Sequence, residues 1–232
     1  MSAERTAPSP ATTPPPPRVL LLPGWLNSDA AHWQSRWERL HGYRRVEQAD
    51  WLWPRRGDWM ARLDEALLAQ AHHAEPQAPT RAEPPRPAAV LVAHSLGCLL
   101  VAAWAAHTQH AVRVQGALLV APPDTERLDM PPNLFNWRPI ERLRLPFAAH
   151  VISSDDDPFC SAERAACLAA DWGCAHTTIG ARGHINAKSG LGDWPEGHSR
   201  LLALLQPRPA APATPPVAAA PAVPAVPDLR PD

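Results

Sequence analysis

The sequence predicts an α/β fold: a mostly parallel central sheet of about six strands, helices on both faces and a minimal lid. Two observations carry this. The candidate strands, such as RVLLL at 18–22 and AVLVA at 89–93, are near-continuous apolar runs, the pattern of strands covered on both faces. They also alternate with stretches of helical periodicity, as parallel strands joined by helical crossovers require. A third observation sets the limits of the domain. Twenty of the 30 prolines fall in residues 1–17, 76–87 and 207–232, and the rest of the chain has an ordinary density. A compact domain is therefore expected over 18–206, with a Pro-rich surface loop at 74–87 and disordered Pro- and Ala-rich tails at 1–17 and 207–232.

Taken in order, Arg18–Leu22 reads as a buried strand ended by Pro23-Gly24. Ser28–Leu40 reads as a helix, with Trp33, Trp37 and Leu40 on one face. Tyr43–Gln48 is a weaker strand, and Trp59–Ala71 a helix carrying Trp59, Leu63 and Leu67 inward. Ala89–Ala93 is a strand and Leu96–His107 an apolar helix. Gly116–Ala121 is the next strand, and Arg138–Leu143 a short helix. His150–Ser154 is a strand, followed by a helix over Ser161–Trp172 that Ser161 caps. Ala175–Ile179 is the last strand, and a capping box at Asp193–Glu196 opens a final helix through Leu205.

Composition excludes several classes. The formal net charge is −1, so no basic field gathers nucleic acid. The longest apolar run of the central domain, near Leu96–Ala106, is well short of a membrane span. The N-terminus MSAERTAPSP shows no signal peptide, so a cytoplasmic location is expected. Cys160, Cys167 and Cys174 recur every seven residues, wider than paired zinc ligands, and with Cys98 they read as free thiols. Neither metal nor cofactor is called for, and a monomer is favoured.

In a parallel sheet of this kind, ligands sit beyond the carboxyl ends of the strands. Directly between the strand AVLVA and the apolar helix lies Ala93-His94-Ser95-Leu96-Gly97. That is small-x-Ser-x-Gly, the nucleophile elbow, in which a sharp turn lifts a serine hydroxyl above the sheet at a helix N-terminus. A serine hydroxyl needs a base, and the base an acid to orient it. On this fold they follow in the order Ser, Asp/Glu, His. After the strand at 150–154 comes Asp155-Asp156-Asp157-Pro158, and after the strand at 175–179 comes Gly183-His184. Asp157, extended by the proline that follows it, is the favoured acid and Asp156 the alternative. His32, His41, His72, His73, His107 and His110 fall on or beside helices and read as surface groups, whereas His94 reads as packing beside the serine. Trp25, Trp51, Trp53 and Trp137 fall on loops at the same face and are candidates to line an apolar acyl pocket.

Together, LLPGW (21–25), DWLWP (50–54), VAHSLGC (92–98), SSDDDPFCS (153–161) and GHINAKSGLGDWPEG (183–197) resemble the small serine hydrolases of the retinoblastoma-binding-protein-9 type, within the α/β-hydrolases. The resemblance runs from about Val19 to Leu205. It implies a Ser95–Asp157–His184 triad. It further implies an oxyanion hole from the backbone N–H of Leu96 and one from the Gly24–Trp25–Leu26 turn, with Trp25 the chosen donor. The expected activity is carboxylesterase-like cleavage of a small acyl ester through an acyl-enzyme. The alternatives are a peptidase or amidase with the same triad, or a weak or inactive hydrolase-fold protein whose Pro-rich tails bind partners.

Overall fold

In the computed structural model, residues 17–69 and 89–206 are described. The expected tails at 1–17 and 207–232 (residue 17 apart) and the Pro-rich loop at 74–87 lie outside them, as do His72 and His73. Six parallel strands form one sheet: β1 (Arg18–Leu22), β2 (Arg44–Arg45), β3 (Ala89–His94), β4 (Val114–Val120), β5 (Ala148–Ser153) and β6 (Ala175–Thr178). Their spatial order is β2-β1-β3-β4-β5-β6. The sheet is crossed by α1 (Trp33–His41), α2 (Arg56–Leu68), α3 (Leu96–His107), α4 (Ala162–Asp171) and α5 (Pro195–Leu205). No helix of the described residues is long and apolar enough to cross a membrane.

The apolar runs of the central strands are explained by what each face meets. Leu20, Leu22, Leu91, Ala93, Ala117, Leu119 and Val151 point into a core closed by α2, α3 and α4. The alternate residues Val19, Leu21, Val90, Val92, Leu118, Val120 and Ile152 point into a second core closed by Trp33 and Trp37 of α1 and Leu201 of α5. Because both faces are dry, every residue of β3 is buried, and period-2 patterning disappears from the sequence.

Several boundaries differ from expectation for local reasons. The helix expected from Ser28 starts at Trp33. Asn27 Oδ1 accepts from Ser28 N, and Asp29 Oδ1 accepts from the N–H groups of Ala31 and His32, holding 27–32 as successive turns. The expected strand at 43–48 shrinks to Arg44–Arg45. Arg45 turns its guanidinium back onto Glu38, Asn27 and Ser35. The helix expected at Arg138–Leu143 is absent, and a 3₁₀ helix occupies Pro132–Trp137 instead. Pro139 cannot donate to a helical ladder, and the Arg138 guanidinium is spent on the carbonyls of Thr125 and Arg127. The capping box at Asp193–Glu196 is not formed. Trp194 is the N-cap residue of α5 without a side-chain bond, while Asp193 pairs with Arg36 at 2.6 Å. Ser161 does cap α4, its Oγ accepting from Arg164 N at 3.2 Å.

His32 overturns the surface reading of that histidine. It is 4% exposed, and its Nδ1 accepts from Gln34 N to cap α1.

Candidate active site

Ser95 lies between the last residue of β3 and the first of α3, with φ 53° and ψ −124°. Two neighbours explain why small residues surround it. A Cβ on Gly24 would stand 2.6 Å from the Ser95 Cβ, and a Cβ on Gly97 would stand 2.2 Å from the Leu22 carbonyl oxygen. Glycine therefore lets the β1 turn and α3 approach each other across the serine. Strained backbone gathers at this end of the sheet. Leu26, Asn27, Ser95, Ala121 and Ile185 all have positive φ without being glycine. The ladder continues past the strand ends, Ser95 N–H donating to Val120 O and Ala121 N–H to Ile152 O.

Ser95 Oγ lies 2.8 Å from His184 Nε2. His184 Nδ1 lies 3.0 and 2.9 Å from the two oxygens of Asp157, whose side chain is 3% exposed. These three groups, from three different loops, form one hydrogen-bonded line. Such a line can accept a hydroxyl proton on imidazole and balance the resulting cation with a buried carboxylate. Asp156 has a different task. Its Oδ1 accepts from Gly183 N–H and Ser154 Oγ–H, so it ties the aspartate loop to the histidine loop. Asp155 accepts from the Thr178 hydroxyl.

Two residues that the sequence does not single out hold this frame. Gln34, fully buried, donates through Nε2 to the carbonyls of Leu22 and Val92, pinning the ends of β1 and β3. Phe159 stands edge-on to the His184 ring with 4.6 Å between ring centres. His94 packs beside Ser95 as expected. It also lies 2.9 Å, through Nε2, from the His184 carbonyl oxygen, which makes Nε2 the protonated, donating nitrogen. Burial pushes its basicity well below that of ordinary histidine, with smaller contributions from His32 and His184.

Two cavities meet at Ser95 and His184. One, of about 220 Å³, is apolar: Trp25, Leu26, Met130, Pro131, Leu134 and Phe159 form most of its wall. The other, of about 170 Å³, is mixed: Asn27, Asp29, His32, His94, Asn186 and Lys188 share its wall with Trp25 and Ala187. Of the tryptophans expected there, Trp25 borders both cavities. Trp51, Trp53 and Trp137 border neither. Trp137 is buried in the core beside Trp59 with its Nε1–H donated to Pro54 O. Trp51 packs edge-on against Trp59, and Trp53 is 59% exposed. The indole of Trp137 is drawn inward because a buried carbonyl satisfies its N–H there. The loop after β4 supplies Met130, Pro131 and Leu134 in their place; its apolar residues between prolines are the sequence signal for this part of the wall.

All four cysteines are free, with Cys98 and Cys160 buried. Among the described residues, no cluster of three or more histidine, cysteine or acidic side chains comes together to hold a metal.

The family model described as "Serine hydrolase" matches residues 19–203. None of the curated proteins matches the chain in sequence. Among solved structures, the fold is similar to that of a protein described as a YdeN-like hydrolase from Pectobacterium atrosepticum. That likeness has 28% identity and a TM-score of 0.64 over 82% of this chain and 92% of that one. It is also similar to the ydeN gene product of Bacillus subtilis, at 19% identity and a TM-score of 0.57 over 81% and 98%. A thermophilic esterase from Thermogutta terrifontis shares the fold at 16% identity and a TM-score of 0.54 over 82% and 91%.

Proposed function

The chain belongs to the serine hydrolase family, and on that premise we propose that it is an esterase of small acyl esters with Ser95 as nucleophile. The observation that carries the reading is the unbroken line from Ser95 Oγ through His184 to Asp157, at 2.8 and 2.9 Å. His184 takes the proton of Ser95 as its oxygen adds to the ester carbonyl. Asp157 keeps the imidazole in the tautomer with a free Nε2 and stabilises the imidazolium that forms. The negative charge on the carbonyl oxygen falls to backbone donors. Leu96 is the first residue of α3, so its N–H has no acceptor within the helix. In the turn after β1, Leu26 N–H is committed to Trp51 O at 3.2 Å, and the resemblance to the small serine hydrolases implies Trp25 N–H as the second donor. Each such donor is worth about 2.7–4 kcal/mol in the transition state. His184 then protonates the departing alcohol. Water, deprotonated by the same imidazole, cleaves the acyl-enzyme and returns Ser95 to its hydroxyl form.

The apolar cavity touches Leu96 as well as Ser95 and is the acyl side in this reading. At about 220 Å³ it is below the range that holds a drug-sized ligand and suits a short acyl chain. A fluorophosphonate probe tests the nucleophile. Wild type is expected to label, and Ser95→Ala to lose both labelling and ester turnover, the latter by on the order of 10⁴-fold or more. Equal labelling of the variant would assign the chemistry to another serine. With p-nitrophenyl esters of increasing chain length, turnover is expected to peak at short chains, and a maximum at long chains contradicts the assignment of the pocket.

A further inference from the structure

We propose that His94, the residue before the nucleophile, is a positioning residue: its Nε2–H holds the peptide between His184 and Ile185, so that the His184 imidazole stays within reach of Ser95. This role rests on the serine-esterase reading above and adds the residue that fixes its nucleophile to its base.

The base stands on backbone that is held against its own preference. Ile185, the residue after it, has φ 48°, in the left-handed region where a β-branched side chain is an outlier. Such a conformation persists only where the surroundings fix it. Ile185 is fully buried, and its carbonyl accepts from Trp33 Nε1–H at 2.8 Å. The peptide before it has two bonds. Its N–H donates to Arg182 O at 3.3 Å, and its oxygen, the His184 carbonyl, accepts from His94 Nε2 at 2.9 Å. The His94 bond is the shorter of the two and the better made. Relaxing Ile185 turns this peptide, which begins at the His184 Cα, and shifts the imidazole from its 2.8 Å approach to Ser95 Oγ.

The other end of the bond is anchored in the sheet. His94 is the last residue of β3 and pairs with Val120 of β4. Ser95 N–H donates to the carbonyl of the same Val120. His94 and the nucleophile are therefore fixed to one another and to the sheet. The ring has no room to swing away. It packs against His32, Trp33 and His184 itself, with 4.6, 6.1 and 5.0 Å between ring centres. Nucleophile and base are thus joined twice. One link is the Ser95 Oγ to His184 Nε2 bond, which the reaction breaks and remakes. The other runs through His94 and is untouched by the reaction, so it keeps the two groups in register while the proton moves. Packing alone does not call for an imidazole here, because an apolar ring fills the same space without burying a polar group.

The test separates the donor from the ring. His94→Phe keeps a ring among its neighbours but has no N–H to give. His94→Gln places an amide N–H the same number of bonds from Cβ as the imidazole Nε2–H. Fluorophosphonate labelling carried to its end point counts the competent sites, and single-turnover acylation by a short p-nitrophenyl ester gives the rate per site. His94→Phe is expected to acylate about ten- to 100-fold more slowly per site, with KM within about twofold of wild type. His94→Gln is expected to stay within about threefold of the wild-type rate. A wild-type rate per site in His94→Phe overturns the proposal. So does a loss confined to the number of sites, which marks a role in folding alone. Equal slowing in the two variants assigns the loss to altered packing and overturns it as well. If the phenylalanine variant does not fold, His94→Met, which adapts to irregular space without supplying a donor, takes its place with the same expectations. Wild type that neither labels nor turns over ester overturns the esterase reading and this role with it, whereas the three other outcomes leave that reading standing.

Discussion

Asp156 and Asp157 are neighbours in sequence, yet the structure gives them different work. Asp157 faces the imidazole of His184 with both oxygens, whereas Asp156 spends an oxygen on the Gly183 amide and the Ser154 hydroxyl. The two therefore separate in kinetics. Asp157→Asn keeps the size of the side chain but lets His184 settle in the wrong tautomer. It is expected to lower kcat by about 10⁴-fold. Asp156→Asn retains an acceptor oxygen and disturbs only the approach of the two loops, for a loss on the order of tenfold. Single-turnover acylation with a p-nitrophenyl ester measures both. Comparable losses in the two variants would remove the distinction.

The strand-to-helix connection at Ser95 depends on an element approaching closer than side chains allow. Helix α3 begins against the end of β1, where a Cβ on Gly97 would lie 2.2 Å from the Leu22 carbonyl oxygen. Backbone cannot retreat as a flexible side chain can, because Leu22 is paired with Ala93 in the sheet. Gly97→Ala gains helix propensity, worth about 1 kcal/mol. It is still expected to lose on the order of 2 kcal/mol net, because a core this tightly packed does not admit a methyl group. The urea midpoint checks this, and an alanine variant as stable as wild type would show that α3 has room to shift.

Across the fold, the buried histidines couple stability to pH. His32 has an unfolded-state pKa near 6.5 and a folded value of about 4, and His94 is also held well below ordinary histidine. Between these values the unfolded chain binds more protons than the native one, so stability rises with pH through that window. It is fully present above about 6.5 and is lost as pH falls toward 4. His32 alone accounts for about 3 kcal/mol of this. Urea unfolding at pH 7.0 and 4.5 is expected to show a marked fall in midpoint at the lower pH, and a smaller fall in His32→Asn. A midpoint independent of pH over that range would mean that these rings are not neutral by burial.

The amino-acid sequence by itself determined the parallel sheet with helices on both faces, because continuous apolar runs such as AVLVA tolerate no wet face. It also marked Ser95, His184 and the aspartate cluster, because strand ends followed by turns are local features. It did not determine which tryptophans line the cavity, since an indole is equally at home in a core or a pocket. Only the position of the Pro54 carbonyl decided for Trp137. Nor did it reveal that His32 is buried. That follows from turns at Asn27 and Asp29 that delay the start of α1 to Trp33 and carry the ring toward His94. Periodicity and propensity act over a few residues, whereas a cavity wall assembled from segments 25–32, 94, 123–134, 159 and 184–188 is set by packing between distant parts of the chain.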